Sequence, residues 1–458
     1  MQKLSLMVIM TEYMNETHKI KKYSAGKIVL LGLFALSLVI ARLVIASRLA
    51  VVLSEPIKLG YSGLSISMPT GKAWKIVNKW EYQENAFVLS SYFMGGSEGV
   101  PLQAHCQYQL AAVKVESAVR FEQMASNGKG VIAKTGQNRT DNLTIDWAYI
   151  KEPGALKSMF FGTAQLPDGR QLDIAVFQAM GDAELAEKVF KGIVENVKFE
   201  GNELLKTGGE VVTKIKERGI KSFLSAKNQQ VFFWIKNSVG QCVGFVMDML
   251  VDSGSDAQLN IHASSFYYFS GPYGSQEVSF FQSDNRFDEF AWKSEISGLA
   301  NRKGAEIIMG DNGMMVVTKL TAETEEKKYQ LGIAAVPDVF LEPVFSQMID
   351  SNDEKLIVDI IETDGKITPT LISKIEVEDA AGAKEDAVYS FKMEFLDGRG
   401  FSEQLYLDSQ RQVSRGLLQQ EDKYILERTD AENVLKQFPE RAEYIQQMNK
   451  MWEQKLLQ

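Results

Sequence analysis

Few side chains in this sequence combine the residue types and spacings that catalysis or metal binding requires. The three histidines are His18, His105 and His262, and no two of them lie at a spacing typical of a metal site. His105 directly precedes Cys106 in a segment whose alternation predicts a strand. Because neighbouring side chains of a strand point to opposite faces, we do not expect this pair to form a catalytic dyad.

Three acidic residues at a spacing of four, Asp248, Asp252 and Asp256, raise the question of a calcium site. Calcium loops draw their ligands from alternate residues, and Asp248 belongs to a predicted strand, so we interpret these acids as solvated. The sequence also lacks the phosphate-binding pattern GxxxxGK[ST] and the dinucleotide-binding pattern GxGxxG. We therefore predict that the protein is not an enzyme and has no catalytic residues, metal or cofactor.

The most apolar run of the chain lies near the N-terminus. Its charge-free part, residues 28–41, is shorter than the roughly 17–25 residues of a membrane span. The apolar pattern continues beyond Arg42, whose long stem can place the guanidinium among lipid headgroups. We therefore predict a transmembrane signal anchor over residues 28–53, including Ile28, Leu36 and Arg42.

The flanking charges predict the orientation of this anchor. Several lysines precede it, so residues 1–27 are expected in the cytoplasm and the bulk of the chain in the periplasm, as in a single-pass inner-membrane protein. Two alternatives stay open. The run could be a signal peptide cleaved near the small residues Val44 and Ala46, or a buried helix of a soluble domain.

Charge limits the classes of partner that the remaining chain can have, and the cysteine content limits its disulfide bonds. The first 53 residues carry seven Lys or Arg and two Asp or Glu, so a whole-chain charge of −9 leaves −14 for the rest. Such an acidic surface repels nucleic acid, and we expect no nucleic-acid partner. Cys106 and Cys242 fall in different predicted domains, so they are either free thiols or a bridge between the domains.

Residues 57–200 are predicted to form an α+β domain. The order of strands, helix, strands and helix favours an antiparallel sheet covered by helices. The opening SISMPTGKAW (Ser65–Trp74) and the closing AEKVFKGIVENVKF (Ala186–Phe199) resemble the PsbP/Mog1-like fold. That resemblance implies a binding or assembly module.

A second predicted domain follows a glycine-containing linker at residues 201–210. Residues 211–430 alternate as strands, interrupted by one apolar helix that has Pro337 in its first turn and that Pro343 should kink. A large antiparallel sheet with one kinked helix is similar to the lipoprotein-carrier fold of LolA, which implies an incomplete barrel around an apolar cavity. Residues 431–458 are predicted to form C-terminal helices.

Ten aromatic residues lie between Phe266 and Trp292. Alternation predicts that several share the inner face of a curved sheet, where they either fill a core or line an apolar cavity for an acyl chain. The candidate cavity residues are Phe245, Met247, Tyr267, Phe269, Phe280, Phe290, Trp292 and Phe340.

These elements combine into one predicted architecture and function. The fold class is α+β: an N-terminal transmembrane helix, an antiparallel sheet with covering helices, and a large curved antiparallel β domain, an open half-barrel with a helical plug. The predicted function is a non-enzymatic, membrane-anchored envelope protein that binds a lipid, a lipoprotein or a protein partner. The alternatives are a structural scaffold or assembly subunit at the cell envelope and, third, an enzyme of unrecognised type.

Overall fold

The structure is a computed structural model. It describes residues 25–48, 51–71, 74–76, 79–83, 85–93, 102–140, 142–154, 157–178, 183–224, 228–269, 274–297, 302–310, 312–320, 324–375, 387–392, 402–419 and 423–456. The chain divides into two compact units, residues 1–50 and residues 51–458.

The first unit contains the helix α1, Ala25–Arg48. Among the described residues, no helix is both long enough and apolar enough to cross a bilayer. The predicted anchor at residues 28–53 is therefore wrong, as are the membrane partner and the single-pass inner-membrane location with a periplasmic bulk. Within α1 the run without charged residues, 28–41, is shorter than the roughly 17–25 residues of a span.

The three predicted anchor residues all lie in α1. Ile28 is in its first turn, Leu36 is 55% exposed, and Arg42 is exposed. Most of the predicted cytoplasmic segment, residues 1–27, lies outside the described residues.

The second unit is built mainly from strands. Its first group of strands is β1 (Val52–Leu53), β2 (Ile57–Lys58), β3 (Leu64–Ile66), β4 (Pro69–Thr70), β5 (Trp74–Ile76), β6 (Glu81–Gln83), β7 (Ala86–Phe93), β8 (Leu102–Gln109), β9 (Val131–Arg139), β10 (Thr144–Lys151), β11 (Ser158–Gln165), β12 (Gln171–Gln178) and β13 (Lys198–Phe199). The second group is β14 (Asn228–Lys236), β15 (Cys242–Asp252), β16 (Gln258–Phe269), β17 (Gly274–Asp284), β18 (Phe290–Ser297), β19 (Arg302–Met309), β20 (Met314–Leu320), β21 (Glu325–Gln330), β22 (Ala335–Pro337), β23 (Lys355–Ile361), β24 (Ile367–Ile375), β25 (Ala387–Lys392), β26 (Ser402–Leu407), β27 (Val413–Gln419) and β28 (Lys423–Thr429).

The helices of this unit are fewer. They are α2 (Ser117–Asn127), α3 (Ala183–Glu195), α4 (Glu203–Arg218), α5 (Leu341–Ser351), α6 (Ala431–Gln437) and α7 (Ala442–Leu456), with short 3₁₀ helices at Ile220–Ser222, Asp338–Phe340 and Pro439–Arg441. The predicted α+β class is therefore wrong, since the described chain is mostly β. Strands that are far apart in the sequence pair with one another within two large sheets, and the helices lie against the faces of these sheets.

The first large sheet has eight strands in the order β5-β7-β8-β12-β11-β10-β9, with β6 also paired to β7. Helix α3 covers one face because Val189, Phe190 and Ile193 form a buried stripe along it. Helix α2 covers the other face, where Phe121 contacts Phe161. The central strands of the sheet are thus covered on both faces, whereas the edge strand β9 is largely exposed.

The second large sheet has fifteen strands, running from β21 through β14, which pairs with β28, to β22. Its two end strands do not pair with each other in the described residues, yet only four residues separate them in sequence. A fully extended segment of four residues spans about 14 Å, so the sheet must curve to bring its two end strands near each other.

Helix α4 occupies the position of the predicted linker, residues 201–210. Asn202 caps it by accepting a hydrogen bond from the backbone N–H of Leu205 at 3.0 Å. The helix packs on β23 and α5, and Val211, Val212 and Ile215 are buried there. The segment is therefore an integral part of the core of the second unit.

The C-terminal helices α6 and α7 pack on the outer face of β14, β15 and β16. Their buried residues Val434, Phe438, Ile445 and Met448 meet the strand residues Phe232, Phe245, Met247, Phe266 and Tyr268. The C-terminal helices cover the outer face of these strands. Their other face points towards the inside of the curved sheet, which α5 closes.

Candidate ligand cavity

A cavity of about 340 Å³ lies on the inner face of the fifteen-stranded sheet. Strands β14, β15 and β16 form one wall, β26, β27 and β28 form another, and the start of α5 closes it. The lining residues are Leu224, Val231, Phe233, Val246, Asp248, Met249, Leu250, Ala263, Ser265, Tyr267, Val339, Glu342, Leu405, Gln412, Val413, Leu426 and Arg428. Other depressions on the described surface are lined more by polar side chains.

Strand register explains which side chains reach the cavity. On β15, Val246, Asp248 and Leu250 alternate with Met247 and Met249. Val246, Asp248 and Leu250 lie opposite Tyr267, Ser265 and Ala263 of β16, respectively. The lining residues of the two strands therefore share one face. The apolar character of this face comes from Val and Leu at alternate positions.

Asp248 is the main polar feature of this wall. Its Oδ1 is inaccessible to solvent and has no hydrogen-bond partner among the described residues. Burial raises the pKa of Asp248 to about 6, with a hydrogen bond from Ser265 acting against that rise and the charge of Glu277 adding to it. The cavity therefore contains a carboxyl group with an unused acceptor.

Glu342 supplies a second carboxyl group from the first turn of α5. Burial raises its pKa, Arg428 opposes this rise, and Asp408 and Asp248 contribute to it. Arg428 is itself exposed, and its Nη1 donates a hydrogen bond to Gln412 Oε1 at 2.8 Å. Acidic groups thus reach the interior, while the cationic side chain lies at the mouth.

Tyr267 completes the set of polar groups at the cavity. Burial raises the pKa of its hydroxyl, and the charges of Asp248, Glu277 and Asp338 act in the same direction. The Tyr267 hydroxyl is therefore neutral and able to donate a hydrogen bond. Asp338, in the 3₁₀ helix before α5, has a pKa raised to about 7 by burial and by Glu277.

In the part of the chain that the structure describes, no three His, Cys, Asp or Glu side chains are placed to hold a metal ion. Residues 95–99 read Gly-x-Ser-x-Gly and lie outside the described residues.

Among the described residues, no histidine or cysteine lines the cavity. Ser90 Oγ and His105 Nδ1 are 2.8 Å apart, and burial lowers the pKa of His105. Cys106 is buried, its Sγ lies 3.6 Å from Met68 Sδ, and burial raises its pKa. Cys106 and Cys242 are both free thiols, so the two do not form a bridge.

Of the eight candidate residues from the sequence, only Tyr267 lines the cavity. Phe245 and Met247 are on the opposite face of β15, because Phe245 pairs with Tyr268 and both pack against Phe438. This face lies beneath the C-terminal helices.

The other candidates are divided between core and surface. Phe290, Trp292 and Phe340 are buried in a core around Phe281, whose ring centroid lies 5.0 Å from that of Phe340. Phe280 lies on the outer face, 4.5 Å from the ring of His262. Phe269 shares the face of Tyr267 but is 40% exposed and contacts Tyr424.

Asp248, Glu342 and Arg428 are the site residues that sequence reasoning missed. Asp248 was interpreted as a solvated acid because it belongs to a predicted strand and its spacing from Asp252 and Asp256 does not fit a calcium loop. The available signal was that Val246 and Leu250, on its own side of the strand, are also apolar. An acid flanked by apolar residues at both i−2 and i+2 faces an apolar environment.

Comparison with known proteins identifies no family. No family of known proteins and no curated protein matches the sequence. The chain is similar to the crystal structure of a β-barrel-like protein of a domain of unknown function, DUF1849, from Brucella abortus. That similarity has a TM-score of 0.34 and 9% sequence identity, and it covers 44% of this chain and 96% of the other. The resemblances to the PsbP/Mog1-like and LolA folds stay predictions.

Proposed function

We propose that the protein is a non-enzymatic binding protein that holds a small apolar ligand in the cavity between β14–β16, β26–β28 and α5. The observation that carries this proposal is the cavity itself, about 340 Å³ and lined mainly by Val, Leu and Phe. Ligand pockets are typically about 300–1,000 Å³, apolar, and provided with a few polar groups, a description that fits this cavity.

The polar groups argue against a simple packing defect. A void left by imperfect packing lowers the stability of the protein, but it does not explain why carboxyl groups are buried beside it. Asp248 and Glu342 add a further cost, because the ionised form of a buried acid is disfavoured. A ligand that fills the space and meets these groups would offset both costs.

A fluorescence experiment with the neutral apolar dye Nile red tests the proposal. Full-length protein should bind the dye with a blue-shifted emission, and Ala263→Trp should abolish binding because the indole occupies the cavity. The matched control is Ile308→Trp, at a position 50% exposed on β19 of the same sheet. Equal dye binding by the two variants, or no binding by the unaltered protein, would refute a ligand cavity.

The scaffold alternative has less support. A scaffold would contact its partner through sheet edges and through an apolar stripe of the C-terminal helices that includes Ile445 and Met448. Ile445 and Met448 of that stripe are buried against the protein's own sheet. A partner would have to displace α7, or use another surface, to bind there.

A further inference from the structure

Asp248 provides the starting observation. Asp248 lines the cavity, and its Oδ1 is shielded from solvent and accepts no hydrogen bond from any described residue. A buried acceptor without a donor carries a desolvation cost, which is larger when the acceptor is charged. A ligand that brings a donor to the Asp248 carboxyl group offsets that cost.

The surrounding charges specify which kind of donor fits. The charge of Glu277 on β17 raises the pKa of Asp248, and the charge of Asp248 raises the pKa of Glu342 on α5. Asp338, on the 3₁₀ helix before α5, acts on Tyr267. Ser265 and Tyr267 of β16 add neutral hydroxyl groups. The field at the wall is therefore negative.

The single cationic side chain in the cavity lining does not neutralise this field. Arg428 Nη1 donates to Gln412 Oε1 and lies 3.6 Å from Asp408 Oδ2, so its charge is shared with partners at the mouth. The charge of Arg428 lowers the pKa of Glu342, but Arg428 is not among the groups that shift the pKa of Asp248. Within the described part of the chain, no cation is therefore among the groups that act on Asp248.

We infer that the cavity selects apolar ligands that carry a protonated amine, with Asp248 as the counter-charge and the Val and Leu side chains around the hydrocarbon part. This inference rests on the proposed function. An ammonium group has three donors and no acceptor, which suits a wall of carboxyl and hydroxyl oxygens. A carboxylate ligand would be repelled there, and a neutral alcohol would gain no charge–charge attraction.

Displacement of Nile red by three probes of one chain length tests the inference. Octylamine, octanol and octanoate are titrated at pH 8, below the concentrations at which they form micelles. Octylamine should displace the dye at an about tenfold lower concentration than octanol, and octanoate should be the weakest. Asp248→Asn should remove the preference for the amine and keep the binding of octanol.

The controls separate the two proposals. Asp256→Asn removes one negative charge at an exposed position between β15 and β16 and should leave the amine preference unchanged. If Asp248→Asn does not fold, lowering the pH of the unaltered protein from 8 to 5 protonates Asp248 and should weaken octylamine alone. Octanol binding without amine preference, or an amine preference unaffected by both changes, overturns the inference and leaves the ligand cavity standing. No binding of any probe overturns both.

Discussion

Asp248 places an acid where the fold favours its neutral form. Burial raises its pKa to about 6 from an ordinary value near 3.8. An acid whose folded pKa lies above its unfolded pKa binds its proton more tightly when the protein is folded. Its contribution to stability is therefore full at low pH and is lost as the pH rises through about 6.

The direction of this pKa shift predicts how Asp248→Asn changes the stability of the protein. At pH 8 the variant should have a free energy of unfolding higher than the unaltered protein by about 2 kcal/mol, because the amide carries no charge to desolvate. The difference should shrink at pH 5. Urea unfolding at the two pH values measures it, and a difference that grows towards low pH would contradict the raised pKa. Asp256→Asn, at an exposed position, should show neither effect.

The sequence signals an apolar environment for this residue but does not place it at a cavity, because both faces of β15 are buried. Alternation separates Val246, Asp248 and Leu250 from Phe245 and Met247 correctly, but it does not state which set faces the cavity. That choice depends on the C-terminal helices, which cover the Phe245 face from roughly 190 residues further along the chain.

At the scale of elements, α4 shows how glycines can be misread. Gly208 and Gly209 suggested a flexible linker, yet they lie inside a helix that packs closely on β23. A Cβ added at Gly208 would lie 1.8 Å from the backbone oxygen of Ile357. Paired glycines permit a close approach as well as flexibility, and only the packing partner distinguishes the two.

Gly208→Ala should therefore destabilise the protein by about 2–3 kcal/mol, because the backbone of either α4 or β23 must move. Gly192→Ala in α3 is the matched control, since its added Cβ would lie 3.7 Å from Leu53 Cδ1, an ordinary contact. There the better helix propensity of Ala should stabilise by about 0.5–1 kcal/mol. Thermal melts followed by circular dichroism compare the two variants. Similar melting temperatures would show that α4 does not need the close approach.

At the scale of the whole second unit, the two large sheets share one core. Ile357 and Leu371 from the fifteen-stranded sheet belong to the same buried cluster as Phe87 and Ile174 from the eight-stranded sheet. Tyr82 Oη also donates a hydrogen bond to the backbone oxygen of Ile367 at 2.7 Å. The local strands and the apolar helix α5 could be recognised from alternation and spacing. The order of fifteen strands could not, because it depends on pairings such as β14 with β28, nearly 200 residues apart.

Arg170 and Asp359 form the buried ion pair that joins the sheets. Arg170 Nη2 donates to Asp359 Oδ1 at 2.8 Å and to Oδ2 at 3.0 Å, while Nη1 donates to Tyr108 Oη at 3.1 Å. The two residues are 1% and 3% exposed. Removing one partner of such a pair leaves a desolvated charge behind, which is far more costly than losing an exposed pair.

Asp359→Asn should therefore lower the free energy of unfolding by about 3–5 kcal/mol, since the Arg170 guanidinium stays buried without its counter-charge. Glu187→Gln breaks the exposed Glu187–Lys191 pair on α3, 2.8 Å in length, and should cost only about 0.3–0.5 kcal/mol. Denaturant unfolding followed by tryptophan fluorescence and by circular dichroism measures both. Because the core is shared, the two signals should change together in the unaltered protein. Equal costs for the two variants, or separate transitions for the two signals, would show that the sheets fold independently.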